Sequence, residues 1–209
     1  MILIGLTGGI ASGKSTVAEL LRAKGAVIVD ADVIGQRTYA SGGPAHERIV
    51  ARFGDEVVAE DGEIDRGRLG SLVFSDEAAL ADLNAITHPL ILEEAMRQVE
   101  EHRDSDRLVV LDAALLVEIF GDRGRSLGLQ ALVVVIATPD QQRARLAITR
   151  GMAEDDAQAR MDAQGLIEAK MAAADFIIDN REGPEELRAA VDRLWDELQS
   201  MFSDSPSSN

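Results

Sequence analysis

The segment Gly8-Gly9-Ile10-Ala11-Ser12-Gly13-Lys14-Ser15 constrains the fold of this chain more than any other stretch. It matches G-x-x-x-x-G-K-[ST], and its flanks are what that pattern requires. Ile2-Leu3-Ile4-Gly5-Leu6 before it is an apolar run that reads as a buried strand. Val17, Leu20 and Leu21 after it share one face of a helix. Strand, glycine loop and helix in that order build a phosphate cradle. The glycines let amide groups converge on phosphate oxygens without obstruction by Cβ atoms. The helix N-terminus adds free donors and partial positive charge. On this reading Gly9, Ile10, Ala11, Ser12, Gly13, Lys14, Ser15 and Thr16 bind a nucleoside triphosphate. Lys14 reaches the β- and γ-phosphates, and the Ser15 hydroxyl ligates Mg²⁺.

The rest of the chain predicts an α/β fold around that motif. Ile2–Leu6, Ala26–Asp30, Leu108–Asp112, Leu132–Ala137 and Phe176–Asp179 are short runs rich in Val, Ile and Leu, without polar alternation. Such runs suit a five-stranded parallel sheet covered on both faces, with helices between the strands. Thr138-Pro139-Asp140-Gln141 has the order of an N-cap, a proline at N1 and a capping-box partner. Gly183-Pro184 opens a helix whose Leu187, Val191, Leu194, Trp195 and Leu198 form one apolar face, with Trp195 a packing residue.

Connection lengths carry further information. Residues 31–107 far exceed the dozen or so that a parallel crossover needs, and residues 138–175 also exceed it. The first connection reads as a helical substrate-binding insertion over the carboxyl ends of the strands. The second reads as a helical lid that turns near Arg150-Gly151. The expected organisation is one P-loop domain over residues 1–209. Its core is 1–32, 106–137 and 175–200, its insertion 33–105, its lid 138–174, and 201–209 is a frayed tail.

Charge and composition limit the function classes. The net charge of −16 argues against broad binding to nucleic acid or anionic membranes. Only Lys14, Lys24 and Lys170 are lysines. The absence of cysteine excludes disulfides and thiolate metal sites. No apolar run is long enough for a membrane span, and the N-terminus lacks the basic and cleavage features of a leader. A cytoplasmic monomer is the expectation.

Several polar residues are candidates for chemistry. Asp30 and Asp32 follow the second strand, and they share a side if the extended backbone continues. Asp32 is assigned to the acceptor hydroxyl and Asp30 to the outer shell of the metal; helix capping is the competing role for the pair. Asp112 ends the third strand, the usual Mg²⁺-side partner of a phosphate loop. Glu118 after Leu115-Leu116-Val117 orients substrate or is a surface acid. Among Arg143, Arg145, Arg150 and Arg160, Arg145 and Arg150 are favoured for contact with transferring phosphate. The competing role is pairing with Glu154, Asp155 and Asp156, and at least one of the four is expected to do only that. His88 has no second histidine at ligand spacing and reads as a cap or loop contact.

Taken in order, these pieces resemble the dephospho-coenzyme A kinase family from about Ile2 to Leu198. The resemblance rests on Leu6-Thr7 and the glycine loop, Asp30-Ala31-Asp32, His88-Pro89-Leu90-Ile91 and Leu115-Leu116-Val117-Glu118. It continues through Arg145 to Gly151, Ala163-Gln164, Ala174-Asp175 and Ile178-Asp179-Asn180. It implies ATP-dependent phosphorylation of the ribose 3′-hydroxyl of dephospho-coenzyme A, with Mg²⁺. It also implies Asp32 as base, Lys14 on the phosphates and Arg145 on the transferring group. His88, Leu115, Leu116 and Glu118 would lie around the acceptor. Two departures stand out. Ala114 replaces the proline usual after the third strand, which predicts a looser loop. Gln36 occupies a position commonly held by arginine, with Arg37 next to it. A kinase for another small hydroxyl acceptor is the nearest alternative, and the long insertion argues against its compact members. A GTP switch would need Asn-Lys-x-Asp, which the chain lacks.

Overall fold

The computed structural model describes residues 1–74, 76–117, 124–162 and 167–203, apart from the side chains of Phe74, Arg150, Phe202 and Ser203. The described elements run β1 (Ile2–Gly8), α1 (Lys14–Ala23), β2 (Val27–Asp30), α2 (Ala31–Thr38), α3 (His46–Phe53), α4 (Arg66–Phe74) and α5 (Glu77–Glu100). They continue with β3 (Leu108–Asp112), β4 (Ala131–Ile136), α6 (Pro139–Arg150), α7 (Glu154–Asp162), α8 (Ile167–Ala173), β5 (Phe176–Asp179) and α9 (Pro184–Ser203). The five strands form one sheet in the order β2-β3-β1-β4-β5. β1 pairs in parallel with β3 and β4, and β4 with β5. β1 and β2 are therefore one strand apart rather than adjacent.

The chain forms two compact units, Met1–Val29 with His102–Asn209, and Asp30–Glu101. In the first, β3 and β4 have no exposed residue, as expected of strands covered on both faces. Val17 and Leu21 of α1 and Leu187, Val191, Leu194 and Leu198 of α9 close over Ile4, Leu6, Val133 and Val135. Trp195 packs at the edge of this core. β1 sits in the middle of the sheet, between β3 and β4; the connection after β1 runs to β2 on one side, and the connection after β3 crosses to β4 on the other. That order places a crevice at the carboxyl ends of β1 and β3.

Local signals account for the helix ends. The Thr138 hydroxyl accepts from Gln141 N at 3.2 Å and the Gln141 side chain accepts from Thr138 N at 3.1 Å, completing the capping box of α6. Gly151 ends α6 in the left-handed region, at φ 58°. Among the described residues the 138–175 connection then also holds α7 and α8. α9 extends through Ser203, into the segment expected to be frayed.

The second unit has its own core of Ala45, Ile49, Phe53, Val57, Ile64, Leu69, Val73 and Ala79. Its longest element, α5, begins where Asp76 accepts from Ala78 N and Ala79 N, at 2.9 and 3.3 Å. Pro89 lies inside α5, where it cannot donate the usual backbone bond. Arg97 pairs with Glu94 and Glu101 on the same helix. The Arg97 and Gln98 hydrogen bonds hold the Glu94 carboxyl down to about 2. The pair is solvent-exposed, and such pairs contribute little.

Leu198 is fully buried at the centre of the first core. Leu198→Ala is expected to cost about 2–5 kcal/mol, read as a lower midpoint in urea unfolding with unchanged slope.

Candidate active site

The glycine loop is built from backbone geometry that few residues adopt. Ala11 has φ 55° and Gly13 φ 99°, both left-handed. Ser12 N donates to Gly9 O at 3.1 Å, turning the loop tightly. Gly13 caps α1 without a side-chain hydrogen bond, and the first-turn amides of a helix have no intrahelical acceptor. A Cβ on Gly13 would meet Asn180 Nδ2 at 2.1 Å, and one on Gly8 would meet Val135 O at 2.5 Å. The backbone is thus approached closely by its surroundings, which is why glycine is required there.

Three side chains from outside the loop take its carbonyl oxygens. Gln142 Nε2 donates to Ile10 O at 2.8 Å. Arg145 Nη1 donates to Ala11 O and Ser12 O at 3.1 and 3.0 Å. Asn180 Nδ2 donates to Ser12 O at 2.8 Å, and Arg145 Nη2 donates to Asn180 O at 3.2 Å. A trans peptide is planar, so fixing the direction of a carbonyl fixes the next N–H in the opposite direction. The clamp on residues 10–12 therefore turns the amides of Ala11 and Gly13 away from it. Ser12 Oγ is buried and has no hydrogen-bond partner among the described residues. A buried orphan hydroxyl and amides freed from their own carbonyls fit a phosphate chain.

Lys14 Nζ forms an ion pair with Asp112 Oδ1, and the two side chains are 11% and 3% exposed. Asp112 is in register with Leu6 at the carboxyl ends of β3 and β1, so this pair sits at the topological crevice. Ser15 and Thr16 are exposed in the first turn of α1. Among the described residues no group of three or more His, Cys, Asp or Glu forms a metal cage. A nucleotide-associated Mg²⁺ takes one or two protein ligands and completes its shell with phosphates and water. Ser15 and Asp112 fit that pattern.

The geometry redistributes other expected roles. The extended backbone does not continue past Asp30, because α2 starts at Ala31. Asp30 Oδ1 instead accepts from Asp32 N and Val33 N at 2.9 and 3.0 Å, so the structure gives Asp30 the capping role. Asp32 lies in the exposed first turn of α2. His88 is not a helix cap; it lies within α5 in the second unit, partly buried. Leu116 is completely buried, while Leu115 is exposed; only Leu115 has a side chain available to a ligand. Arg143 pairs with Asp140 and donates to Gln158 Oε1 at 3.0 Å, not to the acids of α7. Arg145 is held on the loop carbonyls. Arg150 contributes only its backbone to the description, and Glu118, Ala163 and Gln164 lie outside the described residues.

Gln142, Asn180 and Lys170 were not assigned to the site from sequence. Lys170 is 2% exposed. It lines a cavity of about 510 Å³ together with Gly9 and Ile10 of the loop and residues of α6, α7 and α8. Its signal was scarcity, as one of three lysines in an acidic chain. Gln142 was hidden behind the capping motif next to it.

Comparison with known proteins shows the family. The family model described as dephospho-CoA kinase matches residues 2–186. The chain is 44% identical to a dephospho-CoA kinase of Thermobifida fusca over 201 residues, 95% of this chain and 97% of that protein. A crystal structure from Thermus thermophilus superposes with a TM-score of 0.78 at 34% identity, covering 94% of this chain and 97% of the other. A dephospho-CoA kinase of Campylobacter jejuni superposes with a TM-score of 0.68 at 25% identity, covering 95% and 98%.

Two predictions follow from the local geometry. Gly13→Ala puts an L-residue in the left-handed region at a cost of about 1–2 kcal/mol and displaces Asn180. It is expected to lower both the unfolding midpoint and nucleotide affinity, the latter read by fluorescent-nucleotide titration. Burial pushes the His88 imidazole below its ordinary value of 6.5. The unfolded chain then binds that proton more readily, so the His88 contribution to stability falls as pH drops below 6.5. Urea unfolding at pH 7.5 and 5.5 should show a smaller loss for His88→Gln than for the unaltered chain.

Proposed function

The chain belongs to the dephospho-CoA kinase family, and from that membership we propose its reaction. It transfers the terminal phosphoryl group of ATP to the ribose 3′-hydroxyl of dephospho-coenzyme A. The products are coenzyme A and ADP, in the final step of coenzyme A biosynthesis. The observation that carries this reading is the family match across residues 2–186, which takes in both the phosphate loop and the long insertion. ATP use is what P-loop kinases share.

We assign the roles as follows. Residues Gly9 to Thr16 hold the phosphates with backbone amides, and Lys14 leaves Asp112 for the β- and γ-phosphate oxygens. Ser15 and Asp112 would hold Mg²⁺, which when bound neutralises phosphate charge. Asp32 orients the acceptor hydroxyl and accepts its proton. Arg145 fixes the loop and lies next to the developing charge; Arg150 is a second candidate from the same helix. His88, Leu115 and Glu118 are proposed on the acceptor side. In-line positioning and charge stabilisation supply most of the rate, and closure of the lid helices keeps water from competing as acceptor. No helix of the described residues is long and apolar enough to cross a membrane. The proposal is completed by a cytoplasmic monomer that does not bind nucleic acid.

The test is ADP release with ATP and Mg²⁺, with and without dephospho-coenzyme A, the product being identified by mass and position. Acceptor-dependent ADP with one phosphate added at the 3′-oxygen is the expected result; ADP release indifferent to that acceptor would discard the substrate. Asp32→Asn is expected to reduce kcat roughly 10²–10⁴-fold while ATP binding stays nearly constant in titration.

A further inference from the structure

Lys170 has no part in the roles above, yet it is the largest fully buried side chain among the described residues. It belongs to α8, and Nζ donates to Ala114 O at 2.5 Å. The same carbonyl accepts from Thr7 Oγ1 at 3.0 Å. Just before it, Ala113 N donates to Leu6 O at 3.0 Å. Both lone pairs of the Ala114 carbonyl are therefore used, one of them by a cation, which makes the stronger kind of bond. Thr7 lies immediately before the glycine loop. Asp112, the partner of Lys14, is two residues before Ala114. One carbonyl thus joins the strand that enters the loop, the segment that carries the loop's carboxylate, and a helix of the lid connection.

Burying an ammonium costs several kcal/mol, and a well-packed apolar residue is often cheaper. A lysine kept there has a task that an apolar side chain of the same length does not perform. Lys170 also lines the cavity beside Gly9 and Ile10, so its substitution alters the wall of the site and not a remote core.

We propose that Lys170 is a positioning residue for phosphoryl transfer. By holding the Ala114 carbonyl, it keeps Asp112 opposite Lys14 and sets Leu115 at the rim of the site. This rests on the kinase reading above. It acts on the geometry of the reacting groups and not on the capture of ATP, so it governs kcat more than the KM for ATP.

The chain contains no cysteine, so Lys170→Cys introduces a unique thiol. Alkylation of that thiol with 2-bromoethylamine forms a C–S bond, expels bromide, and regenerates an ammonium on a side chain of lysine length. Lys170→Met and unmodified Lys170→Cys are expected to lower kcat at least roughly tenfold, since small misplacements of reacting groups have effects of this size. Their KM for ATP should stay within about threefold of the unaltered chain on the same reasoning. Aminoethylated Lys170→Cys, with alkylation verified by mass after refolding, should regain most of the lost kcat. Three outcomes overturn the proposal. They are an unchanged kcat in Lys170→Met, an aminoethylated protein that regains its melting temperature without its kcat, and loss of fold in both uncharged variants by circular dichroism. The unaltered chain assayed in parallel separates the two levels: if it fails to phosphorylate dephospho-coenzyme A, the kinase reading falls, and this inference with it.

Discussion

The grip of Gln142, Arg145 and Asn180 on three consecutive loop carbonyls is the interaction on which the site depends. A glycine-rich loop has many conformations open to it, and ordering it costs entropy. The four hydrogen bonds select one conformation and aim its peptide planes. The left-handed Ala11 and the orphaned Ser12 hydroxyl persist because the surrounding bonds over-determine the loop. The phosphate cradle is built by α6 and the end of β5 as much as by the loop itself.

Electrostatics serve the same end. In a chain with 37 acidic and 21 basic residues, several cations outside the site are tied to acids near them. Lys24 pairs with Asp192, Arg125 with Asp175 and Arg181 with Asp179. The two remaining lysines face inward, Lys14 on Asp112 and Lys170 on Ala114 O. Both inward-facing lysines therefore stand beside the glycine loop, Lys14 within it and Lys170 in the wall of the cavity that Gly9 and Ile10 also line.

The sheet was legible because continuous apolar runs have one good solution, a strand covered on both faces. The phosphate loop was legible because its residue types and flanks follow from its geometry. Asp30 was misread because alternation assumes extended backbone, and nothing in Asp-Ala-Asp marks where the strand yields to a helix. His88 was expected as a cap or loop contact, and its place within a helix was not legible because α5 accommodates Pro89 in its interior. Leu115 and Leu116 are indistinguishable by type, and only packing shows that one is exposed and the other sealed. The looser loop expected from Ala114 is countered by bonds from Thr7 and Lys170, partners 107 and 56 residues away in sequence. Such pairings depend on topology, which local pattern does not encode.

The separations in sequence have a consequence for the birth of the molecule. The loop is made well before its clamps, which stand 132 to 168 positions downstream. β1 waits likewise for β3 and β4, the two strands that flank it. A ribosome must deliver most of the polypeptide before the first strand has its neighbours, and Asn180 before the cradle is closed. Long-range closure of this kind slows folding and leaves apolar strands uncovered during synthesis. Nucleotide recognition thus waits for Asn180, although the glycine loop emerges long before it.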